Sequence, residues 1–269
     1  MPSPADPVAF TVGGLSVRWY ALFILSGIVL AVFVTRELAR RRGLDPEFPL
    51  DIAPPIVLAG MLGARVYYVM LRWRYFLDQP GQALNVRLGG LSIHGALVAG
   101  VVVLFLLCRR AKQSFLIWAD VLIVGVAVGQ GVGRWGNWAN QEAFGTPTDL
   151  PWGVAISPVR RPPAYAAATH FHPTFLYESL FDLANAVVLT WLVLKMRRDG
   201  ALRPGDVLWT YCVLYGVARF LIERVRTDSL YIGPLPAAYW LSGALVMVGA
   251  GMLLARRMPG RPGPSAATR

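Results

Sequence analysis

Ionisable side chains are scarce in the apolar stretches of this sequence, and the few that occur are of types that recognise anions. Arg65, Arg134 and Arg219 each interrupt an apolar run, and His94 follows one turn-forming pair, Gly89-Gly90. Tyr211, Tyr215, Arg219 and Glu223 recur every fourth residue, and Glu178, Asp182 and Asn185 follow the same helical rhythm. That spacing gathers each set on one helix face. Guanidinium presents a planar fork of donors matched to phosphate or carboxylate oxygens. Histidine is the side chain best suited to moving a proton near neutral pH. One arginine–glutamate pair, such as Arg219 with Glu223 or Glu178, would read as a structural ion pair. Three arginines set against few carboxylates favour an anionic ligand.

The elements that must hold these groups are membrane helices. Hydrophobic residues make up 55% of the 269 and charged residues only 15%, with a mean hydropathy of +0.49. Soluble domains carry about 25% charged residues. Apolar runs predict seven transmembrane helices over 18–38, 52–71, 91–108, 115–135, 173–194, 206–223 and 238–255. They are too long and too continuously apolar for barrel strands of about 10 alternating residues. Fifteen of the 26 basic residues fall in 36–51, 109–114, 195–205 and the tail holding Arg256, Arg257, Arg261 and Arg269. The positive-inside bias therefore places the N-terminus periplasmic and the C-terminus cytoplasmic. The start, with Pro2, Pro4, Asp6 and Pro7, lacks the basic region of a cleavable signal. The expected organisation is one all-α polytopic unit over 1–269. Its longest outer connection, 136–172, forms a small periplasmic cap of turns between helices four and five.

In this orientation Tyr20, Arg65, His94, Arg134, Asn137, Tyr177, Glu178, Arg219 and Glu223 all lie in the outer half of their spans. Charge inside a bilayer costs about 2.5–3.5 kcal/mol on insertion scales, so the groups are expected to share a polar cavity. A phospholipid headgroup is the anion at hand. The net charge of +11 does not indicate nucleic acid, because the basic residues cluster beside apolar runs rather than in one patch. Cys108 and Cys212 form no metal or redox motif, and no H-E-x-x-H or Ser/His/Asp motif occurs, so neither metal nor cofactor is expected.

The stretch Gly133-Arg134-Trp135-Gly136-Asn137-Trp138-Ala139-Asn140-Gln141-Glu142-Ala143-Phe144-Gly145 resembles the signature of prolipoprotein diacylglyceryl transferases, G-R-x-G-N-F-x-N-x-E-x-x-G. It departs at Trp138, where Phe is usual, and at Gln141, where Gly is frequent. Further pieces follow in the family's order: Trp19-Tyr20, Gly63-Ala64-Arg65, Gly90-Leu91-Ser92-Ile93-His94-Gly95, His172-Pro173-Thr174-Phe175-Leu176-Tyr177-Glu178, and Tyr215 through Glu223. Ala96 replaces a second Gly. The resemblance runs from about residue 15 to 255.

What the resemblance implies is transfer of diacylglyceryl from phosphatidylglycerol to the lipobox cysteine of a prolipoprotein peptide. Glycerol phosphate leaves and a thioether forms. The implied setting is the bacterial inner membrane, with the active site toward the periplasm and the bilayer as solvent. Arg134 and Arg219 are expected to clamp the phosphate. His94 is expected either to take the thiol proton or to hydrogen-bond at the helix entry, with Glu142 an alternative base. Asn137, Asn140 and Glu142 are expected to bind the headgroup or fold the loop, and Gly136 and Gly145 to allow tight turns in the substrate site. Glu178 and Glu223 are read as arginine partners. Tyr20, Tyr177 and Tyr215 line the site or anchor at the interface, and Arg65 contacts lipid phosphate or a carboxylate. An anion or lipid transporter with an arginine-lined outer cavity is the alternative. It would place arginines near the midplane and reachable from both sides, whereas the inner half here is almost wholly apolar.

Overall fold

The computed structural model describes residues 1–4, 6–85, 89–199 and 202–257. In chain order the elements begin with a hairpin of β1 (Val8–Val12) and β2 (Leu15–Arg18), which runs directly into helix α1 (Trp19–Arg42). Next come α2 (Phe48–Leu71), the short α3 (Trp73–Asp78) and α4 (Ile93–Arg110), followed by α5 (Phe115–Asn140). Strands β3 (Val154–Ala155) and β4 (His170–Phe171) pair antiparallel before α6 (Thr174–Asp199) and α7 (Asp206–Glu223). A hairpin of β5 (Tyr231–Ile232) and β6 (Leu235–Pro236) leads into α8 (Ala237–Ala255).

Each of the seven apolar runs is a helix. Among the described residues six helices are long and apolar enough to cross a membrane, by length and composition: α1, α2, α4, α5, α6 and α8. The remaining long helix, α7, carries Asp206, Arg219 and Glu223 within its 18 residues. This is the fold of an all-helical, multi-pass membrane protein. Arg261 and Arg269, which contribute to the charge bias of the tail, and residues 200–201 of the connection after α6 lie outside the described residues.

The chain divides into two compact units. One comprises residues 39–119, the other residues 1–38 with the chain from 120 onward. In the smaller unit α2 packs along α4. Their crossing is tight at Gly63 and Gly95: a Cβ on Gly95 would stand 2.1 Å from the Gly63 carbonyl oxygen, so only glycine fits. In the larger unit α5 and α6 form the interior. Of the apolar window in α5, 44% is buried, against 17% in α1 and 11% in α8, whose leucines and valines face outward as lipid-facing residues do. Buried Asp120 on α5 accepts hydrogen bonds from the Gly205 and Leu208 amides at 2.6 and 2.9 Å. It thereby caps the start of α7, whose first amides have no partner within the helix.

The end of α5 differs from expectation. The apolar run predicts a stop near 135, yet the helix continues to Asn140. Trp135 and Trp138 lie on its inner face and pack against Phe175 of α6, edge-to-face and tilted, at 5.5 and 6.4 Å between ring centroids. This aromatic packing continues the helix through a segment too polar to read as a span. Phe144, Val154, Ile156 and Phe171 complete a small core beneath the 141–172 segment.

Candidate active site

Helices α5, α6 and α7 converge on a charged cluster. Arg134 sits on α5, Glu178 and Asp182 one turn apart on α6, and Arg219 and Glu223 one turn apart on α7. Glu178 is the hub. Its Oε2 lies 2.6 Å from Arg134 Nη1, and its Oε1 lies 3.5 Å from Arg219 Nη1 and 3.0 Å from Arg226 Nη1. Arg219 Nη2 stands 2.7 Å from Glu223 Oε2, a contact close enough to pair the charges but angled away from hydrogen-bond geometry. Arg134 Nε stands 3.9 Å from Asp182 Oδ2. The carboxylates are nearly inaccessible, whereas the Arg134 and Arg219 side chains remain 23% and 20% exposed.

These two arginines open onto a shallow cleft lined also by Glu178, Asp182 and Tyr215. Tyr215 stacks on Tyr211, which donates to Gln130 Oε1 at 2.7 Å, so the α7 stripe is fixed from α5. Asp182 Oδ2 and Asn185 Nδ2 are buried without a hydrogen-bond partner among the described residues.

The expectation of three arginines against few carboxylates needs correction. Arg134 and Arg219 are matched by Glu178, Asp182 and Glu223, and the third arginine of the cluster is one that the pattern of apolar runs does not single out. Arg226 follows α7, is 10% exposed and bridges Glu178 to Asp228, the latter at 2.7 Å. Burial disfavours its charged form, but Glu178 and Asp228 outweigh that and hold its pKa above the ordinary arginine value. The available signal is its place three residues beyond Glu223, one further step along the stripe.

The signature segment positions this cluster. Asn137 and Asn140 both donate to Glu142 Oε1, at 3.1 and 3.2 Å, so these three residues fold the helix end among themselves. Gln141 adopts φ +51°, in the left-handed region, which accounts for the frequent Gly at this place. Here Gln141 Oε1 accepts from the Ser157 amide and hydroxyl at 2.8 and 2.7 Å. Thr174 Oγ1 donates to the Ala143 carbonyl. Gly145 pairs as a β-bridge with Arg226, and a Cβ there would lie 2.6 Å from the Val225 carbonyl oxygen. Thr146 donates its amide to that oxygen at 2.7 Å. Gly145 thus permits the backbone approach that seats Arg226. Tyr20 packs flat on Gly136, where a Cβ would stand 2.7 Å from its ring. The Tyr177 hydroxyl lies 3.1 Å from His172 Nδ1 and accepts from Trp152 Nε1 at 3.1 Å, tying the cap to α6.

Arg65 and His94 belong to the smaller unit. His94 is exposed in the first turn of α4, its ring 6.0 Å from that of Tyr67. Among the described residues Arg65 contacts neither carboxylate nor tyrosine hydroxyl. All five of its N–H groups go to backbone carbonyls: Nε to Ala83, Nη1 to Gly89 and Gly90, Nη2 to Gln82 and Asn85, at 2.6 to 3.0 Å. The sequence left lipid phosphate or a carboxylate as alternatives for Arg65; among the described residues its hydrogen bonds go to carbonyls instead of a carboxylate.

A family model described as prolipoprotein diacylglyceryl transferase matches residues 7–255. The chain is 41% identical over 244 residues to a phosphatidylglycerol–prolipoprotein diacylglyceryl transferase of Synechococcus elongatus, covering 90% of this chain and 84% of the relative. Identity to the protein of that description from Gloeobacter violaceus is 40% over 245 residues, covering 91% and 90%. For Finegoldia magna it is 36% over 244 residues, covering 91% and 93%.

Proposed function

Because the chain belongs to the prolipoprotein diacylglyceryl transferase family, we propose that the α5–α6–α7 cleft is where it transfers diacylglyceryl from phosphatidylglycerol to a prolipoprotein cysteine. The sulfur attacks the glycerol carbon that carries the phosphate ester, the C–S bond forms, and the C–O bond breaks. The electron pair leaves with the ester oxygen as glycerol phosphate, and the thiol proton passes to a base. The observation that carries this reading is that Arg134 and Arg219 both retain exposure on one cleft while sharing Glu178.

In that cleft Arg134 and Arg219 hold the phosphate and gain strength as charge builds on the leaving oxygen, the arrangement that gives electrostatic catalysis its magnitude. Glu178, Glu223 and Arg226 fix the two guanidinium planes. Tyr215 and Tyr20 border the lipid, Tyr177 steadies the cap, and Asn137, Glu142 and Gly145 shape the turn that seats Arg226. His94, exposed at the start of α4, accepts the thiol proton. Arg65 serves the lipid through its charge, its donors being committed to carbonyls. The chain crosses the bacterial inner membrane seven times, N-terminus outside and C-terminus inside, and residues 136–172 cover the site on the periplasmic face. The phosphatidylglycerol headgroup, the lipobox peptide and the bilayer are its partners. The transporter alternative draws no support from the relatives.

The test is direct: purified protein, phosphatidylglycerol and a lipobox peptide, followed by peptide mass. A diacylglyceryl gain that vanishes when the peptide cysteine is replaced by serine is the expected result. No gain from folded, lipid-binding protein would refute the reading.

A further inference from the structure

The smaller unit holds a second cavity, of which the proposed transfer reaction uses only the charge of Arg65. It is an open hollow of about 160 Å³ bordered by α2 and α3, and is lined by Arg65, Tyr68, Arg72, Tyr75, Gln82 and Asn85. Two of the lining groups are guanidinium, and among the described residues none is a carboxylate.

The state of Arg65 makes this cavity electropositive. A guanidinium has five N–H donors, and each is bound to a carbonyl. Carbonyl dipoles solvate the charge without cancelling it, so a fixed positive charge stands in the wall with no counter-ion among the described residues. The loop is shaped around it: Gly90 has φ +79°, and a Cβ there would lie 2.7 Å from Arg65 Nη1. Arg72, at the junction of α2 and α3, is exposed and has no carboxylate partner among the described residues. Its fork therefore supplies the hydrogen bonds that Arg65 has spent.

The neighbouring residues indicate the depth of this cavity in a bilayer. Directly after α2, the α3 segment exposes Trp73 (56%), Tyr75 (48%) and Leu77 (67%). Tryptophan and tyrosine concentrate where acyl chains meet headgroups, the level at which lipid phosphates lie. We infer that this cavity is a second phosphate-ester site, with Arg72 the contacting residue and Arg65 the fixed charge, and that its occupant is the headgroup of an anionic phospholipid. A soluble glycerol phosphate shares the chemistry and is the competing source.

The test uses the full chain in phosphatidylcholine nanodiscs with graded phosphatidylglycerol, comparing wild type with Arg72→Gln, Arg72→Lys and Arg74→Gln. Arg74 is the control, a neighbouring cation that lies over Trp73 and does not line the cavity. Lipid retained per protein is counted by native mass spectrometry without peptide, so the result stands whether or not a thioether forms. Arg72→Gln should lose one retained anionic lipid and raise the half-saturating phosphatidylglycerol fraction about tenfold, equivalent to 1.4 kcal/mol, with kcat unchanged. Arg72→Lys should fall between, and Arg74→Gln should match wild type. Unchanged retention and half-saturation in Arg72→Gln would overturn the site, as would an equal loss in Arg74→Gln, which would mark diffuse surface charge. Binding of soluble glycerol phosphate that depends on Arg72, with lipid retention unaltered, would overturn the lipid assignment and give the site to the free ester.

Discussion

Arg134 and Arg65 are the same residue type in helices of similar apolarity, and the protein satisfies them in opposite ways. Arg134 meets Glu178 at 2.6 Å and shares that carboxylate with Arg219 and Arg226. Arg65 donates to five carbonyls and lies over the rings of Tyr68 and Phe76, with no carboxylate partner among the described residues. A carboxylate-paired arginine in an open cleft can exchange part of its pairing for an incoming phosphate, because one anion substitutes for another at small cost in desolvation. A carbonyl-caged arginine has no such freedom: releasing a donor leaves an unpaired carbonyl, costing about 1–3 kcal/mol each. The difference separates an arginine that can act on a ligand by direct contact from one that folds a loop and lends its charge.

The sharpest challenge to this contrast is to keep both charges and remove both forks. Arg219→Lys should lower kcat about 10²–10³-fold, the range seen when one preorganised donor is lost. Arg65→Lys should chiefly lower the melting temperature, with kcat per folded molecule reduced less than about tenfold, as three donors cannot hold five carbonyls. Equal kcat losses measured in the peptide mass assay would erase the distinction. His94→Gln asks whether the smaller unit also contributes chemistry. Loss of a general base lowers kcat about 10²-fold, with phosphatidylglycerol retention unchanged. Full activity in this variant would confine the chemistry to the larger unit.

A milder change is expected at Arg226. Arg226→Gln keeps hydrogen-bonding capacity but removes one of three cations on Glu178, so kcat should fall about tenfold, with partial recovery in Arg226→Lys. An effect as large as that of Arg219→Lys would mean that Arg226 itself touches the phosphate. Smallest of all is Gln141→Gly. Glycine relieves the left-handed backbone by about 1 kcal/mol, and loss of the two bonds to Ser157 costs a similar amount. Stability by chemical denaturation should therefore stay within about 1 kcal/mol and kcat within about twofold.

Much of this architecture is legible in the amino-acid sequence. The helices follow from long apolar runs, and the pairs Arg219–Glu223 and Glu178–Asp182 follow from four-residue spacing, because both signals are carried by side chains along one helix. Interactions that depend on another segment's backbone are not legible in that way. The carbonyl cage of Arg65 needs the backbone of Gln82, Ala83, Asn85, Gly89 and Gly90, whose path no side-chain pattern encodes. Arg226 escapes because it stands beyond the last apolar residue of α7, where a basic residue reads as loop. The extension of α5 to Asn140 depends on Trp135 and Trp138 meeting Phe175 of α6, a tertiary contact that overrides the local loss of apolarity. The hairpins β1–β2 and β5–β6 are too short to carry a strand signal.

The central claim is that the paired arginines of the larger unit act on the phosphate in the transition state. Its most direct test is the single-turnover rate of thioether formation by Arg134→Ala in bilayers saturated with phosphatidylglycerol, with folding verified by melting temperature. The account predicts a loss of about 10³-fold or more in that rate. A folded Arg134→Ala protein turning over near the wild-type rate would contradict it, and would return Arg134 to the role of a structural partner for Glu178.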